Sequence, residues 1–134
     1  MIFIRGVRRN AQMSGQNWYE ISVKLPDYLI SWVKNNVSED KIKEVPSPHI
    51  TLLYGFDPKY YEEIDRTVKD ANITSNDYTF GEPKKGDVSP VWLVPIISPR
   101  LTSLFWHLYC KYDNEHTLIN GKFEPHVTLC WLKL

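Results

Sequence analysis

Two short segments of the chain carry the same pattern of proline, histidine, any residue and threonine, and apolar residues follow each. The first is "PHITLLY", which contains His49 and Thr51, and the second is "PHVTLCW", which contains His126 and Thr128. A single His-x-Thr arises often by chance. Two copies with the same proline before and the same leucine after are hard to assign to coincidence, although a structural role for both histidines stays open at this point.

Both segments have the apolar content of β-strands, in which successive side chains point to opposite faces. His49 and Thr51 therefore share one face of the first strand, and Ile50 and Leu52 share the other. The second segment obeys the same rule. A proline before each histidine excludes a helix just upstream and fixes the direction of the chain. The pattern predicts that imidazole and hydroxyl face a cleft while the aliphatic side chains enter the core.

Two imidazoles on opposite sides of one pocket are suited to phosphodiester chemistry. A neutral imidazole can accept a proton from an attacking hydroxyl or water while a protonated one donates a proton to the leaving oxygen. Imidazole is the side chain whose titration lies closest to neutral pH. Threonine hydroxyls can donate hydrogen bonds to the nonbridging oxygens, which gain charge in the transition state. This scheme requires no metal and no other cofactor.

Aromatic side chains on the predicted strands are candidates to bind a base, because stacking on an aromatic ring is worth roughly 1–3 kcal/mol per base. Strand parity places Tyr54 and Trp131 on the core face of their strands. Tyr19 and Trp92 are instead predicted for the wall of the cleft. Core packing is the open alternative for each of these two residues.

Basic side chains near the second motif strand are candidates to bind a second phosphate. Lys84 and Lys85 precede a glycine in a predicted loop, and we expect them, with Arg100, to contact the substrate if that loop overhangs the cleft. A solvated surface position is the alternative for such residues. Parity also puts Leu53 and Cys130 on the face of the histidines, where they would continue the floor of the cleft.

A metal site is the alternative use of the histidines. It would combine both motif histidines with His107 or His116, but no ligand pair shows the short spacing usual for zinc. Cys110 and Cys130 also lack paired spacing, and both are predicted to be reduced core residues. The sequence therefore predicts no metal site.

Hydrophobic periodicity predicts the order strand, helix, strand, helix, strand, strand, helix, strand. The first strand is "NWYEISVKL", helix caps are predicted at Asp27, Asp57 and Ser98, and "SEDKIKEVPSP" is predicted to be a loop. The last helix repeats apolar residues at helical spacing: Leu101, Leu104, Phe105 and Leu108. This order indicates an α+β fold with mixed or antiparallel sheets flanked by helices. Two strand–helix–strand lobes, related by an approximate twofold axis, would enclose a central cleft.

Length and charge limit the classes of partner. The chain has 134 residues, and we expect residues 1–134 to form one domain. With 16 basic and 16 acidic residues it lacks the positive field of a protein that coats long duplex nucleic acid. A small nucleotide or oligonucleotide is a suitable substrate, and no obligate protein partner is indicated. The cluster of Arg5, Arg8 and Arg9 is interpreted as solvated surface.

The opening sequence "MIFIRGVRRN" has too short an apolar run for a signal peptide. No segment approaches the roughly 18 consecutive apolar residues of a membrane span. We therefore expect a cytoplasmic protein, which would act in the host cytoplasm if its source is a phage or another virus.

With its two motifs, the chain resembles the two-histidine (2H) phosphoesterases, whose signature is a pair of His-x-Thr or His-x-Ser segments followed by apolar residues. The matching segments are "HITL" and "HVTL", and the resemblance covers essentially the whole chain in length and order of elements. It implies a bilobal α+β fold with a central cleft. It also implies that His49 and His126 are the acid–base pair and that Thr51 and Thr128 bind the phosphate.

We therefore expect a metal-independent phosphodiesterase for small RNA-type substrates. Water could open a 2′,3′-cyclic phosphate, or a neighbouring ribose hydroxyl could break a 2′-5′ or 3′-5′ bond. A phage nuclease that degrades cyclic oligonucleotide signals of host defence is the specific form favoured by the resemblance. The alternatives are a cellular 2′,3′-cyclic phosphodiesterase or RNA-end-processing enzyme, a 2′-5′ oligoadenylate phosphodiesterase, and a non-catalytic nucleotide-binding module. The sequence does not say which histidine is the base.

Overall fold

The structure is a computed structural model that describes residues 17–87, 89–118 and 120–134, together with the backbone of residues 3–5. Arg8 and Arg9 of the basic cluster lie outside these ranges. Three helices and two sheets make up the described part of the chain, and each strand pairing found there is antiparallel. The α+β class expected from the sequence is confirmed, with antiparallel rather than mixed sheets in this part of the chain.

The strands of the described residues are β1 (Phe3–Arg5), β2 (Trp18–Ser22), β3 (Ile42–Glu44), β4 (His49–Tyr54), β5 (Thr79–Phe80), β6 (Lys84–Lys85), β7 (Val91–Ile97) and β8 (His126–Leu132). The smaller sheet has the order β1-β2-β4, and the larger has the order β3-β8-β7-β5 with β6 also paired to β7. The two motif strands, β4 and β8, thus belong to different sheets. The predicted loop at residues 38–48 is wrong in part, because it contains β3, and β1 was not predicted.

The helices are α1 (Asp27–Asn36), α2 (Tyr61–Ala71) and α3 (Pro99–Lys111). Asp57 caps a short 3₁₀ turn that leads into α2, and Ser98 Oγ accepts a hydrogen bond from the backbone N–H of Leu101 at 3.1 Å, so both predicted caps are confirmed. The cap predicted at Asp27 is wrong. Pro26 occupies that position without a side-chain hydrogen bond, and Asp27 is already helical.

One cluster of buried apolar side chains draws on both sheets and on the helices. Ile50 and Leu52 of β4, and Val127 and Leu129 of β8, enter this cluster as strand parity predicts. The apolar stripe predicted for α3 is buried as well: Leu101, Leu104, Phe105 and Leu108. Both cysteines were predicted to be core residues: Cys130 is buried, although strand parity had put it on the cleft face, whereas Cys110 is exposed because it lies on the solvent face of α3.

Two helices each follow a strand of one sheet and pack against a strand of the other. The helix α1 follows β2 of the smaller sheet but contacts β8 of the larger one, and its Trp32 packs edge-on against Trp92 of β7 with ring centroids 4.9 Å apart. The helix α3 follows β7 of the larger sheet but contacts β4 of the smaller one. The two sheets are therefore tied together from both sides, close to the motif strands.

Each motif strand contains an irregularity directly after its threonine. Tyr19 pairs with Leu53 and the next residue of β2 pairs with Thr51, so Leu52 is an extra residue in β4. In β8 the extra residue is Leu129, because Trp92 and the residue after it pair with residues 130 and 128. Such a β-bulge shifts the alternation of all side chains that follow it. Parity therefore holds as far as the extra residue itself and is expected to fail for the residues after it.

Candidate active site

The two motifs line one cavity. It has a volume of about 1020 Å³, and His49, Thr51, His126 and Thr128 all contribute to its wall. The strands β4 and β8 that carry these residues contact each other where the two sheets meet. Two segments far apart in the sequence are therefore brought to the same open space, with an imidazole and a hydroxyl from each.

Both motif histidines make the same local hydrogen bond. His49 Nδ1 lies 2.8 Å from the carbonyl oxygen of Ser47, and His126 Nδ1 lies 3.1 Å from the carbonyl oxygen of Glu124. In each case the acceptor belongs to the residue before the motif proline. A carbonyl oxygen can only accept, so Nδ1 must carry the hydrogen. Nε2 of each ring is then the atom that can accept a proton, or donate one when the ring is protonated.

Glu20 is a charged residue beside the first motif. Its Cα pairs with that of Thr51 between β2 and β4, and its side chain is only 8% exposed. Oε2 lies 3.9 Å from His49 Nδ1, and Oε1 accepts a hydrogen bond from Trp18 Nε1 at 3.0 Å. A carboxylate at this distance attracts the positive charge that His49 carries when it is protonated.

A different group lies beside the second motif. The ring of His116 packs against Phe105 and Phe123 with centroids 4.9 and 5.9 Å apart, and its Nδ1 is buried without a hydrogen-bond partner among the described residues. Burial, and to a smaller extent the nearby His126, lower the pKa of His116 below its usual value. The buried ring of His116 is therefore part of the surroundings of His126, together with Glu124, which lines the cavity.

Lys84 and Lys85 both line the cavity, as the sequence suggested for the loop before β7. They pair with Leu93 and Trp92 of β7, so they lie on opposite faces of this ladder. The ammonium of Lys85 lies 5.8 Å from the centroid of the Trp92 ring, whereas Lys84 shares the face of Leu93, which lines the cavity. Lys84 is thus the lysine better placed for an anionic ligand.

The predicted positions of Tyr19 and Trp92 in the cleft wall are wrong. Tyr19 is fully buried, and its hydroxyl donates a hydrogen bond to Asp65 of α2 at 2.6 Å. Burial and this carboxylate raise the pKa of the Tyr19 hydroxyl far above its usual value. Trp92 lies on the β7 face that packs against Trp32. Both side chains pack in or against the core because each lies on the strand face that a helix covers.

Arg100, the third candidate for a second phosphate, is held elsewhere. It pairs with Asp77 at 3.0 Å and donates a second hydrogen bond to the carbonyl oxygen of Ala71. These contacts join the start of α3 to the end of α2 and to the turn that follows it. Arg100 therefore has a structural role, and the suggested phosphate contact is not supported.

The bulges account for the other misplaced residues. Leu53 and Cys130 were predicted to form the floor of the cleft, but both are fully buried. Trp131 was predicted for the core, yet it lines the cavity. The extra residue after each threonine turns the next side chain inward and, in β8, turns Trp131 outward.

Glu20 and Trp131 are the candidate functional residues that sequence reasoning missed. A signal for Glu20 was present, since alternation in "WYEIS" sets an acidic side chain opposite the buried Tyr19 and Ile21. That face pairs with the histidine face of β4 only if the two strands are neighbours, which sequence periodicity does not reveal. No signal in a single sequence marks the bulge that exposes Trp131.

Among the described residues, no group of three His, Cys, Asp or Glu side chains is arranged to hold a metal ion. His107, one of the ligands considered for zinc, is exposed on α3. Within the same part of the chain, no helix has the length and apolar character to cross a membrane.

No protein-family model, curated protein or solved structure matches the chain.

Proposed function

We propose that the chain is a 2H-type phosphodiesterase that cleaves small RNA-type substrates by acid–base catalysis. The observation that supports this most is that His49, Thr51, His126 and Thr128 line one cavity although they come from strands of different sheets. Histidines that served only to stabilise their own strands would not need to face a common open space. The identical Nδ1 hydrogen bonds also prepare both rings for proton transfer at Nε2.

The proposed reaction forms one P–O bond and breaks another. One imidazole accepts the proton of an attacking ribose hydroxyl or water as that oxygen bonds to phosphorus. The other imidazole, initially protonated, donates its proton to the leaving oxygen as the second P–O bond breaks. Attack by the neighbouring ribose hydroxyl, which is the 2′-hydroxyl for a 3′-5′ bond and the 3′-hydroxyl for a 2′-5′ bond, gives a cyclic phosphate and a free hydroxyl, whereas attack by water opens a cyclic phosphate.

Other residues of the cavity wall would stabilise the negative charge on the nonbridging oxygens. The hydroxyls of Thr51 and Thr128 can donate hydrogen bonds to these oxygens, and Lys84 supplies a positive charge on the same sheet face as Leu93. Protein groups thus provide both proton transfers and the oxyanion contacts. For this reason the proposal includes no metal and no organic cofactor.

The two-lobed arrangement with an approximate twofold axis is part of the same proposal. Three local features recur in both motifs: the proline, the hydrogen bond from Nδ1 to the carbonyl two residues earlier, and the bulge directly after the threonine. In each half, a helix that precedes a motif strand contacts the motif strand of the other sheet. These correspondences support a relation of the two motifs by pseudosymmetry.

The most direct test is a panel of substrates with EDTA present. The panel contains cyclic dinucleotides, cyclic trinucleotides, 2′-5′ oligoadenylate, 3′-5′ dinucleotides and 2′,3′-cyclic AMP. We expect at least one member to be cleaved by the wild type and not by the His49→Ala/His126→Ala double variant. The matched control is His107→Ala, which removes an exposed histidine outside the cavity and retains activity.

The preferred linkage separates the biological roles. A nuclease for cyclic signals of host defence cleaves intact cyclic di- or trinucleotides, a 2′-5′ phosphodiesterase cleaves oligoadenylate, and an RNA-end enzyme requires the 2′,3′-cyclic phosphate. If no member of the panel is cleaved, and if His49→Ala and His126→Ala each weaken nucleotide binding, the chain is a nucleotide-binding module and not an enzyme.

A further inference from the structure

The cavity extends along one face of the ladder between β7 and β8. Alternate residues of β7 line it from end to end, with Ile96 in addition: Val91, Leu93, Pro95 and Ile97. At about 3.3 Å per residue, the seven residues of β7 span roughly 20 Å. The floor of the cavity is therefore an elongated sheet surface rather than a closed pocket around the histidines.

The reactive groups lie over the middle of this floor. His126 pairs with Pro95, and Thr128 pairs with Leu93, the two central cavity-facing residues of β7. The first motif faces the same cavity from β4. A phosphorus atom held between the two motifs would therefore leave unfilled cavity on both of its sides along β7.

One end of the floor is lined by Trp131, which pairs with Val91 at the start of β7. Gly86, Asp87 and Ser89, which precede β7, line the same end. Gly86 donates a backbone hydrogen bond to Val91 at 2.9 Å, and a Cβ atom at Gly86 would lie 2.8 Å from the carbonyl oxygen of Ser89. Position 86 therefore favours a residue without a side chain. Lys84, in β6, lies two residues before it. This end offers an aromatic ring, the ammonium groups of Lys84 and Lys85, and the carboxylate of Asp87.

The opposite end of the floor is formed by Ile97, by the first turn of α3 and by Phe123. Ile97 is 60% exposed, although it is apolar. Phe123 stacks on the buried Phe105 with ring centroids 3.9 Å apart and planes at 6°. Phe123, the second aromatic ring that lines the cavity, is thus fixed in place by its stacking on the core. Apolar side chains dominate this end, but Glu124 and the hydroxyl residues Ser98 and Thr102 line it as well.

We propose that the site takes an internal phosphodiester with a base on each side, one over Trp131 and the other over Phe123. This rests on the proposed function and names its substrate class: a linear or cyclic oligonucleotide of at least two nucleotides. The cavity, at about 1020 Å³, lies at the upper end of the roughly 300–1,000 Å³ usual for ligand sites. A mononucleoside 2′,3′-cyclic phosphate carries one base and would leave one end of the floor empty.

Substrate truncation tests this with the wild-type protein alone. The measurement is kcat/KM for an adenosine dinucleotide with the linkage cleaved in the panel, and for two analogues in which 1-deoxyribose replaces one or the other nucleoside. We expect removal of either base to lower kcat/KM roughly 5- to 100-fold, because each stacked base contributes to binding. If either base can be removed without effect, or if 2′,3′-cyclic AMP is the better substrate, the proposal is overturned.

Variants assign each base to its end of the cavity. Trp131→Leu should lower kcat/KM for the full dinucleotide. In this variant, removal of one particular base should cause no further fall in kcat/KM, a fall that we call the penalty for that base, while the penalty for the other base persists. Phe123→Leu should give the reciprocal result, and Trp131→Phe should restore most of the lost discrimination. Tyr28→Leu, an exposed aromatic on α1, is the matched control and keeps both penalties. Unchanged penalties in the Trp131 and Phe123 variants would contradict the assignment.

Binding to the His49→Ala/His126→Ala double variant separates this proposal from the catalytic one. By calorimetry, the dinucleotide should bind roughly 5- to 100-fold more tightly than AMP. Tighter binding of the dinucleotide without any cleavage by the wild type would reject the enzyme and retain the two base sites. Equal affinities for dinucleotide and AMP would reject the two base sites, whatever the wild type cleaves.

Discussion

The motif histidines share a hydrogen bond but differ in their neighbours. Each Nδ1 is bound to a carbonyl oxygen, yet His49 has the Glu20 carboxylate 3.9 Å away, whereas His126 lies near the buried ring of His116. Under the proposed mechanism, Glu20 is the charged side chain whose replacement changes the electrostatic surroundings of His49.

The first prediction concerns Glu20. Replacing it with glutamine preserves an acceptor for Trp18 Nε1 but removes the charge beside His49. Two unit charges about 4 Å apart attract each other by on the order of 1 kcal/mol in water and by more where water is excluded. We expect Glu20→Gln to lower kcat at least about tenfold with little change in KM. Glu62→Gln, on the exposed face of α2, is the control and should keep the wild-type kcat.

An undiminished kcat in Glu20→Gln would show that this carboxylate only stabilises the strands. A loss of kcat accompanied by a large fall in the free energy of unfolding would lead to the same conclusion. Urea unfolding of both variants distinguishes these outcomes.

The second prediction concerns acid stability. The pKa of His116 is lowered in the folded protein, so the unfolded chain binds a proton at this position more readily. The folded state therefore loses stability as the pH falls below about 6.5, the ordinary pKa of histidine, until the pH is below the folded-state value. His116→Phe keeps a ring against Phe105 and Phe123 and should reduce the difference in free energy of unfolding between pH 7.5 and pH 5. An unchanged difference would mean that other groups cause the acid dependence.

At the level of secondary structure, alternation and helical spacing predicted most elements near the site. The strands β2, β4, β7 and β8 and the three helices have local patterns, and the histidine and threonine positions follow from strand parity alone. Local patterns do not encode a bulge, however, because one extra residue changes only the pairing with a neighbour. This is why Trp131 was assigned to the core and Cys130 to the cleft.

Short strands that pair with distant segments could not be predicted from the sequence either. The strand β3 has three residues and pairs with the far end of β8, and β1 pairs with β2 across a long segment of chain. Their pairing is set by tertiary contacts rather than by local propensity, so three residues carry too little periodic signal. The same limit hid Glu20, whose relation to His49 depends on which strands are neighbours.

The third prediction concerns the N-terminus of α3, which borders the cavity. Ser98 is 4% exposed, and its hydroxyl accepts the backbone N–H of Leu101. Ser98→Ala removes this cap and should lower the free energy of unfolding by about 1 kcal/mol. Ser103→Ala, on the exposed face of the same helix, is the matched control and should be neutral or slightly stabilising because alanine favours helix. Equal effects of the two substitutions in urea unfolding would contradict the capping role.

At the scale of the whole molecule, the helices connect the two sheets that carry the motifs. The helix α1 contacts β8, the helix α3 contacts β4, and β3 joins the larger sheet although it precedes β4 in the chain. Displacing one sheet would therefore disrupt the packing of the other. The α+β class and the order of most elements followed from local patterns, but this exchange of helices did not, since it depends on packing between distant segments.

The fourth prediction follows from that exchange. We expect one cooperative unfolding transition, because neither sheet retains its helices without the other. Tryptophan fluorescence reports both sheets, through Trp18 in the smaller and Trp92 and Trp131 in the larger, while far-UV circular dichroism reports the helices. The two signals should give the same midpoint in urea. Two separate transitions would indicate lobes that fold independently.

The central claim is that His49 and His126 act together on one phosphorus atom. It is tested most directly by the rate of phosphodiester cleavage in the single variants His49→Ala and His126→Ala and in the double variant. If each ring transfers one proton in the same step, as proposed, each single variant should lose at least about 100-fold in kcat, and the double variant should be little worse than either. Cleavage at the wild-type rate by either single variant would contradict the claim.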